Sequence, residues 1–181
     1  MANYYEDNED LRFYVEKAID WEPLVRITEY DYRAEDCFTD ASEALEVYEE
    51  VLKLVGTLAA DEIEPLGRAV DANPPKLVDG EIVYPDDFNA MFEQIKELEL
   101  HGMCFPREFG GMNFPLLMFF INTEIMSRAD VSIAAHHGFH SGIGMAMLAY
   151  SAREGSTTFD NNEARIASTR FEAEMREIVA G

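Results

Sequence analysis

Two apolar stretches of helical length run from Pro115 to Arg128 and from Ser132 to Ala152, joined by the polar corner Ser127-Arg128-Ala129-Asp130-Val131-Ser132. Helices this apolar must be largely buried, and two of them meeting at a polar corner can form one wall of a pocket. The turn Pro106-Arg107-Glu108-Phe109-Gly110-Gly111 leads into the first stretch, which carries Glu124. The second holds the cluster His136-His137-Gly138-Phe139-His140. The rest of the chain has to supply a core around this pair.

With 181 residues there is enough chain for one sizeable core, or a core with an appendage, and 48% hydrophobic content describes a globular protein. Acidic side chains outnumber basic ones 36 to 14, a formal charge of −22. Such a field repels phosphate backbones and anionic membrane surfaces, so nucleic acid is not expected as a partner. Cys37 and Cys104 make neither a disulfide framework nor a metal-type spacing. The first residues lack a basic region followed by an apolar run, and no stretch approaches a membrane span. A soluble, cytoplasmic protein is the expectation.

Periodicity predicts an all-α architecture, an orthogonal or up-down bundle of about six helices with one short β-hairpin. Asn8 or Asp10 caps a helix with Leu11, Tyr14, Val15, Ala18 and Ile19 inward, and Trp21-Glu22-Pro23 interrupts it before a polar connector to Thr39. From Asp40 or Ser42 a longer helix buries Leu45, Tyr48, Val51, Leu52, Val55, Leu58 and Ala59 and exposes Glu43, Glu46, Glu49 and Glu50. Pro65 should kink or break it near Ile63. After Asn73-Pro74-Pro75, two short apolar runs around Asp79-Gly80 read as a hairpin, which must lie on the helices or on something absent. Pro85-Asp86-Asp87 starts a helix with Phe88, Met91, Phe92, Ile95 and Leu98 inward. Residues 156–162 read as a polar loop, and a last helix carries Ile166, Phe171, Met175, Ile178 and Val179.

His136 and His140 share a helix face, and Glu124 could approach them, which suggests a metal site. Di-metal bundles need a Glu-x-x-His on each of two helices, and the zinc pattern His-Glu-x-x-His needs glutamate where His137 stands. Pocket-lining or core histidines are the better reading, and no metal is expected. Gly142-Ile143-Gly144 lacks the third glycine of a dinucleotide loop and reads as close helix packing; no nucleophile–base pair is visible. Arg128 and Asp130 could form a short-range ion pair at the corner.

Gly102-Met103-Cys104-Phe105-Pro106-Arg107-Glu108-Phe109-Gly110-Gly111 resembles the Pro-Glu-Glu-Tyr-Gly-Gly segment of acyl-CoA dehydrogenases. Glu124-Ile125-Met126-Ser127-Arg128-Ala129-Asp130-Val131-Ser132 is similar to their Glu-Glu-Ile-Ser-Arg-Ala-Asp-Ala-Ser segment. The order holds from about Val51 to Ala152. Asn73-Pro74-Pro75 and the hairpin resemble a subgroup with a longer N-terminus that acts on fatty acyl-CoA. Arg107 stands where the family has an acid, and Phe109 where it has tyrosine.

The resemblance implies an FAD-dependent oxidoreductase that desaturates the Cα–Cβ bond of acyl-CoA thioesters in fatty-acid β-oxidation. Its partners would be acyl-CoA and an electron-transfer flavoprotein, and it would assemble as a homodimer or homotetramer. It also implies a division into an N-terminal helical extension over 1–39, the family's N-terminal α domain over 40–152, and an insertion loop and final helix over 153–181 leading to a β domain. The family's catalytic glutamate lies in its third domain, and the Thr-Glu-Pro-x-Ala-Gly-Ser-Asp flavin segment does not occur here. By resemblance, Ile133, Ala134, His137, His140 and Ser141 form the acyl-cavity wall, and these 181 residues are expected to be inactive alone. The alternative is an acidic helical interaction module with no catalytic role.

Overall fold

The computed structural model describes residues 2–181. Asn8 caps the first helix, α1 (Glu9–Phe13), by accepting the Leu11 N–H at 3.1 Å. The helix widens into a π turn over Tyr14–Ala18, which buries Val15 and leaves Tyr14 exposed. What reads in the sequence as a polar connector then forms α2 (Trp21–Thr28). Pro23 does not prevent it, because the N–H groups of a first helical turn have no intrahelical partner. The Trp21 indole donates to the Val15 carbonyl at 2.8 Å and its ring packs on Tyr48.

Asp40 starts α3 (Ala41–Leu58), accepting from the N–H groups of Ser42 and Glu43. Pro65 acts as expected: Ala59–Ile63 forms a π turn and α4 (Glu64–Ala72) begins afresh beyond it. Proline has no N–H to offer the preceding turn, and its ring crowds the carbonyl four residues back. The hairpin forms as β1 (Lys76–Val78) and β2 (Glu81–Val83), with Leu77 opposite Ile82 and both exposed. It therefore does not rest on the helices. α5 (Asp86–Glu97) buries Phe88, Met91 and Ile95.

The two apolar stretches become α6 (Leu116–Ala129) and α7 (Val131–Glu154), separated by Asp130 alone. Asp130, not Ser132, is the cap: its carboxylate accepts from the N–H groups of Ser132 and Ile133 at 2.9 Å each. Arg128 consequently pairs with Glu124, at 3.8 Å on an exposed face, and not with Asp130.

A second hairpin, β3 (Thr157–Asp160) and β4 (Arg165–Thr169), replaces the expected loop and the start of the last helix. The β-branched and apolar positions Thr157, Thr158, Phe159 and Ile166 suit a strand, and facing hydroxyls bond across it: Thr157 to Thr169 at 2.8 Å, Thr158 with Ser168 at 2.7 Å. Ile166 thus belongs to a strand, and α8 is confined to Glu172–Ala180. The architecture is the expected mostly helical one, with a second hairpin.

The main core runs from Tyr5 to Ala134, so the first 39 residues share it with the helices that follow. Asn3 fastens the chain start to α3. Its amide donates to the Lys53 carbonyl at 2.9 Å and to Thr57 Oγ1 at 3.0 Å, and its Oδ1 accepts from the Tyr5 and Glu6 N–H groups. Gly56 makes room, since a Cβ there would overlap Asn3. A smaller cluster of Phe105, Phe109, Met175 and Val179 holds α8 against the turn before α6.

Candidate functional site

The candidate site is built along α7 and the turn that braces it. Residues 102–105 and 112–114 are laced by backbone hydrogen bonds: Met112 N–H to Gly102 O, Asn113 N–H to Phe105 O, Phe114 N–H to Met103 O, all between 2.8 and 3.0 Å. The two glycines of the turn are required for different reasons. Gly110 has φ +91°, and a Cβ on Gly111 would overlap the Phe105 carbonyl. Phe109 is buried in the smaller core.

Arg107 donates to both carboxylate oxygens of Glu29, at 2.7 and 2.8 Å, and Glu29 is fully buried. Burial pulls the Arg107 guanidinium pKa down, but the Glu29 hydrogen bonds and charge outweigh it and the net shift is upward. The arginine that departs from the family pattern therefore has a partner in the loop after α2. Asn113 Nδ2 reinforces that junction by donating to the Thr28 carbonyl at 2.8 Å. Sequence reasoning missed Glu29: an acid must answer Arg107, but the first 39 residues offer too many to choose among.

The side chains of α7 divide into two sets. Ile133, Ala134, His137 and Ser141 are buried against this chain's own helices, and Ser141 Oγ donates to the His101 carbonyl at 3.3 Å. His140 is half-buried, and of the five expected wall residues it alone reaches the surface. On the other side Val131, Phe139, Ile143 and Tyr150 are between 57% and 69% exposed, with Ala135, Gly142 and Ala146 between them. No charge interrupts this face from Val131 to Ala152. α6 adds Leu116 and Phe120, also about half exposed. Of the Gly142-Ile143-Gly144 pair, Gly144 is the packing glycine, since a Cβ there would overlap the Phe105 ring; nothing lies near Gly142.

The histidines do not converge as a metal set would. His136 sits edge-on to Tyr84, Phe88 and Phe92, with ring centroids 4.6 to 5.8 Å apart. The ring of His140 lies against that of His101, with centroids 4.5 Å apart and planes tilted by 39°. His137 Nδ1 lies 3.2 Å from His101 Nδ1, and its Nε2 lies 3.4 Å from Asn122 Nδ2. Burial, with the neighbouring histidines second, pushes His101 down to about 3 and His137 down to about 4, so both are neutral at pH 7. Glu124 stays on the exposed face with Arg128. Among the described residues no three His, Cys, Asp or Glu side chains are grouped to hold a metal ion, and no helix is long and apolar enough to cross a membrane. His101, which no sequence motif marks, is the residue that joins the cluster. His136, Phe139, His140 and Ile143, with Ile178 of α8, line a shallow apolar cleft of about 170 Å³ beside it.

The model of the acyl-CoA dehydrogenase N-terminal domain matches residues 46–156. The 3-methylmercaptopropionyl-CoA dehydrogenase of Ruegeria pomeroyi is 27% identical over 123 residues, 68% of this chain and 19% of that protein. A mitochondrial isovaleryl-CoA dehydrogenase of Oryza sativa is 29% identical over 128 residues, 70% of this chain and 28% of its own length. That of Arabidopsis thaliana is 32% identical over 89 residues, 49% of this chain and 20% of its own length. The matched stretch thus spans less than a third of these relatives. The brace of 102–114, the Asp130-capped corner and the bare face of α7 all fall inside the matched region, and the chain belongs to the acyl-CoA dehydrogenase family through its N-terminal domain.

Proposed function

We propose that this chain supplies the α-helical wall of the acyl and flavin cavity in an acyl-CoA dehydrogenase and does not turn over substrate by itself. The observation that carries this is the outer face of α7, apolar and uncharged over five turns in a chain of net charge −22. A face of this kind is a surface awaiting cover. In the whole enzyme the cover would be the flavin-binding β domain and the C-terminal helices, with an acyl chain lying between. His140 and its exposed neighbours Phe139 and Ile143 would form the front of the wall. Ile133, Ala134, His137 and Ser141 would hold α7 in place from behind.

The wall fits some parts of the reactants and not others. Between Arg128 and Arg153 no lysine or arginine is present to meet a diphosphate, so the phosphates of FAD and CoA would be held by other parts of the enzyme. An apolar acyl chain, or the edge of a flat ring, suits the alanines, glycine and aromatic residues of the outer face. When bound, FAD would supply a hydride acceptor for an acyl-CoA desaturation, with the proton taken by a base outside this chain. This chain's residues would exclude water and align the acyl chain. An electron-transfer flavoprotein would be the partner that accepts electrons from the whole enzyme, which would assemble as a dimer or tetramer. The relatives support acyl-CoA as the substrate class.

The test is the full-length parent enzyme, purified and mixed with acyl-CoA thioesters of increasing length. Bleaching of the oxidised flavin absorbance is expected, and should be strongly reduced by Ile143→Glu. A parent that holds no flavin, or flavin that no acyl-CoA bleaches, would overturn the proposal in favour of an acidic helical module that only binds other proteins.

A further inference from the structure

Three buried polar side chains, His137 of α7 with Asn122 and His101 behind it, form an ordered line, and the dehydrogenase reading leaves Asn122 and His101 without a role. Asn122 is completely buried, and its Nδ2 lies 3.8 Å from Met126 Sδ and 3.4 Å from His137 Nε2. A thioether sulfur accepts hydrogen bonds and cannot donate them, so the amide's NH2 end faces this pair. His137 Nε2 must then accept, which leaves its one proton on Nδ1. That proton points at His101 Nδ1, 3.2 Å away, so His101 accepts there and carries its own proton on Nε2. With the amide so placed, Asn122 Oδ1 is buried without a partner among the described residues, and the opposite order would set two donors against each other at Nδ2.

We propose that His101 is a positioning residue for the α7 wall: it closes a hydrogen-bond line running Asn122 to His137 to His101, and its fixed ring supports the tilted ring of His140 by direct contact. The ring of His140, 4.5 Å from that of His101, is thereby set at the edge of the apolar cleft formed with His136, Phe139, Ile143 and Ile178. Ser141, which donates to the His101 carbonyl, ties the backbone of this turn to the same helix. His101 is 1% exposed and touches no part of the outer face, so it acts through His140 alone. The inference uses the wall assigned above, but the proton order can be measured on the chain by itself.

The experiment is a long-range 1H–15N correlation spectrum of the uniformly labelled 181-residue chain at neutral pH. The expected result is His137 in the Nδ1–H form and His101 in the Nε2–H form. The reverse order, both rings in the Nε2–H form, or a charged ring at either position would overturn the line. His101→Phe keeps a ring for the contact and removes the acceptor, whereas His101→Ala removes both. A single χ1 rotamer for His140 is expected in the wild type and in His101→Phe, and rotamer averaging in His101→Ala; an unmoved His140 in the alanine variant would overturn the positioning role. If His101→Ala does not fold, the wild-type tautomers still decide. In the full-length parent, His101→Ala should raise KM for acyl-CoA several-fold with kcat roughly unchanged, and His101→Phe should restore it. Neither the tautomers nor the rotamers involve flavin, so a failure here is separable from a failure of the dehydrogenase reading.

Discussion

α3 and α7 are the two long helices of the molecule, and only one of them has a finished surface. α3 buries Tyr48, Leu52 and Val55 and turns Glu43, Glu46 and Glu50 to solvent, which is what a helix at the edge of a globular protein does. α7 buries Ile133, Ala134, His137 and Ser141, yet its opposite side shows Phe139, Ile143 and Tyr150. The charge of the chain follows the same division. Residues 101–152 hold three acids, Glu108, Glu124 and Asp130, so the other 33 lie outside that stretch. The difference teaches that amphipathicity marks a helix with one side finished against solvent, while its loss on α7 leaves an apolar side that nothing among the described residues covers.

If the inner faces of α3 and α7 are equivalent cores, truncating either should cost alike. Leu52→Ala and Ile133→Ala are each expected to lower stability by about 2–5 kcal/mol in urea unfolding. A much smaller loss at Ile133 would show that α7 is loosely seated and break the comparison. Gly142 and Gly144 of α7 sharpen it further. Gly144→Ala, against the Phe105 ring, should destabilise by roughly 1–3 kcal/mol, and Gly142→Ala, in open space, should stabilise by about 0.5–1 kcal/mol. Equal effects would mean that the two sides of α7 are not distinct.

Acid should act on the inner side of α7 and not on α3. The folded pKa of His137 is depressed to about 4 from 6.5, so the unfolded chain binds the extra proton and stability falls as pH drops below about 6.5. At pH 5 the loss from His137 is on the order of 2 kcal/mol, from 1.5 units below the unfolded value. Urea unfolding of the wild type and of His137→Gln at pH 7 and pH 5 should show the steeper loss in the wild type. The smallest effect belongs to the outer side of α3: Glu46→Lys should change stability by less than about 0.5 kcal/mol.

Most of this frame is legible in the sequence because it rests on period and punctuation. Asp40 and Asn8 as caps, the break before Pro65 and the Asp79-Gly80 hairpin all follow from local chemistry that tertiary contacts do not override. The misses have equally local causes. Pro23 reads as a breaker unless it is recognised as lying in a first turn. Residues 157–169 read as loop and helix because the strand period is short and carried partly by threonines. The site was less legible. Helical spacing groups Ile133, Ala134, His137, His140 and Ser141 on one face, and the structure buries all of them but His140, which is half-buried; spacing cannot say which face the rest of the chain covers. His101 and Glu29 matter only through partners 36 and 78 residues away, and no local pattern reports such distances.

The central claim, that the outer face of α7 is built to be covered while that of α3 is not, is tested most directly by Ile143→Glu against Glu46→Lys in the full-length parent enzyme. Both variants of the isolated chain should melt near the wild type. Acyl-CoA-dependent bleaching of the flavin should fall at least roughly tenfold for Ile143→Glu, a burial cost of about 1.4 kcal/mol or more, and stay near wild type for Glu46→Lys. Wild-type bleaching by the Ile143→Glu enzyme would contradict the account.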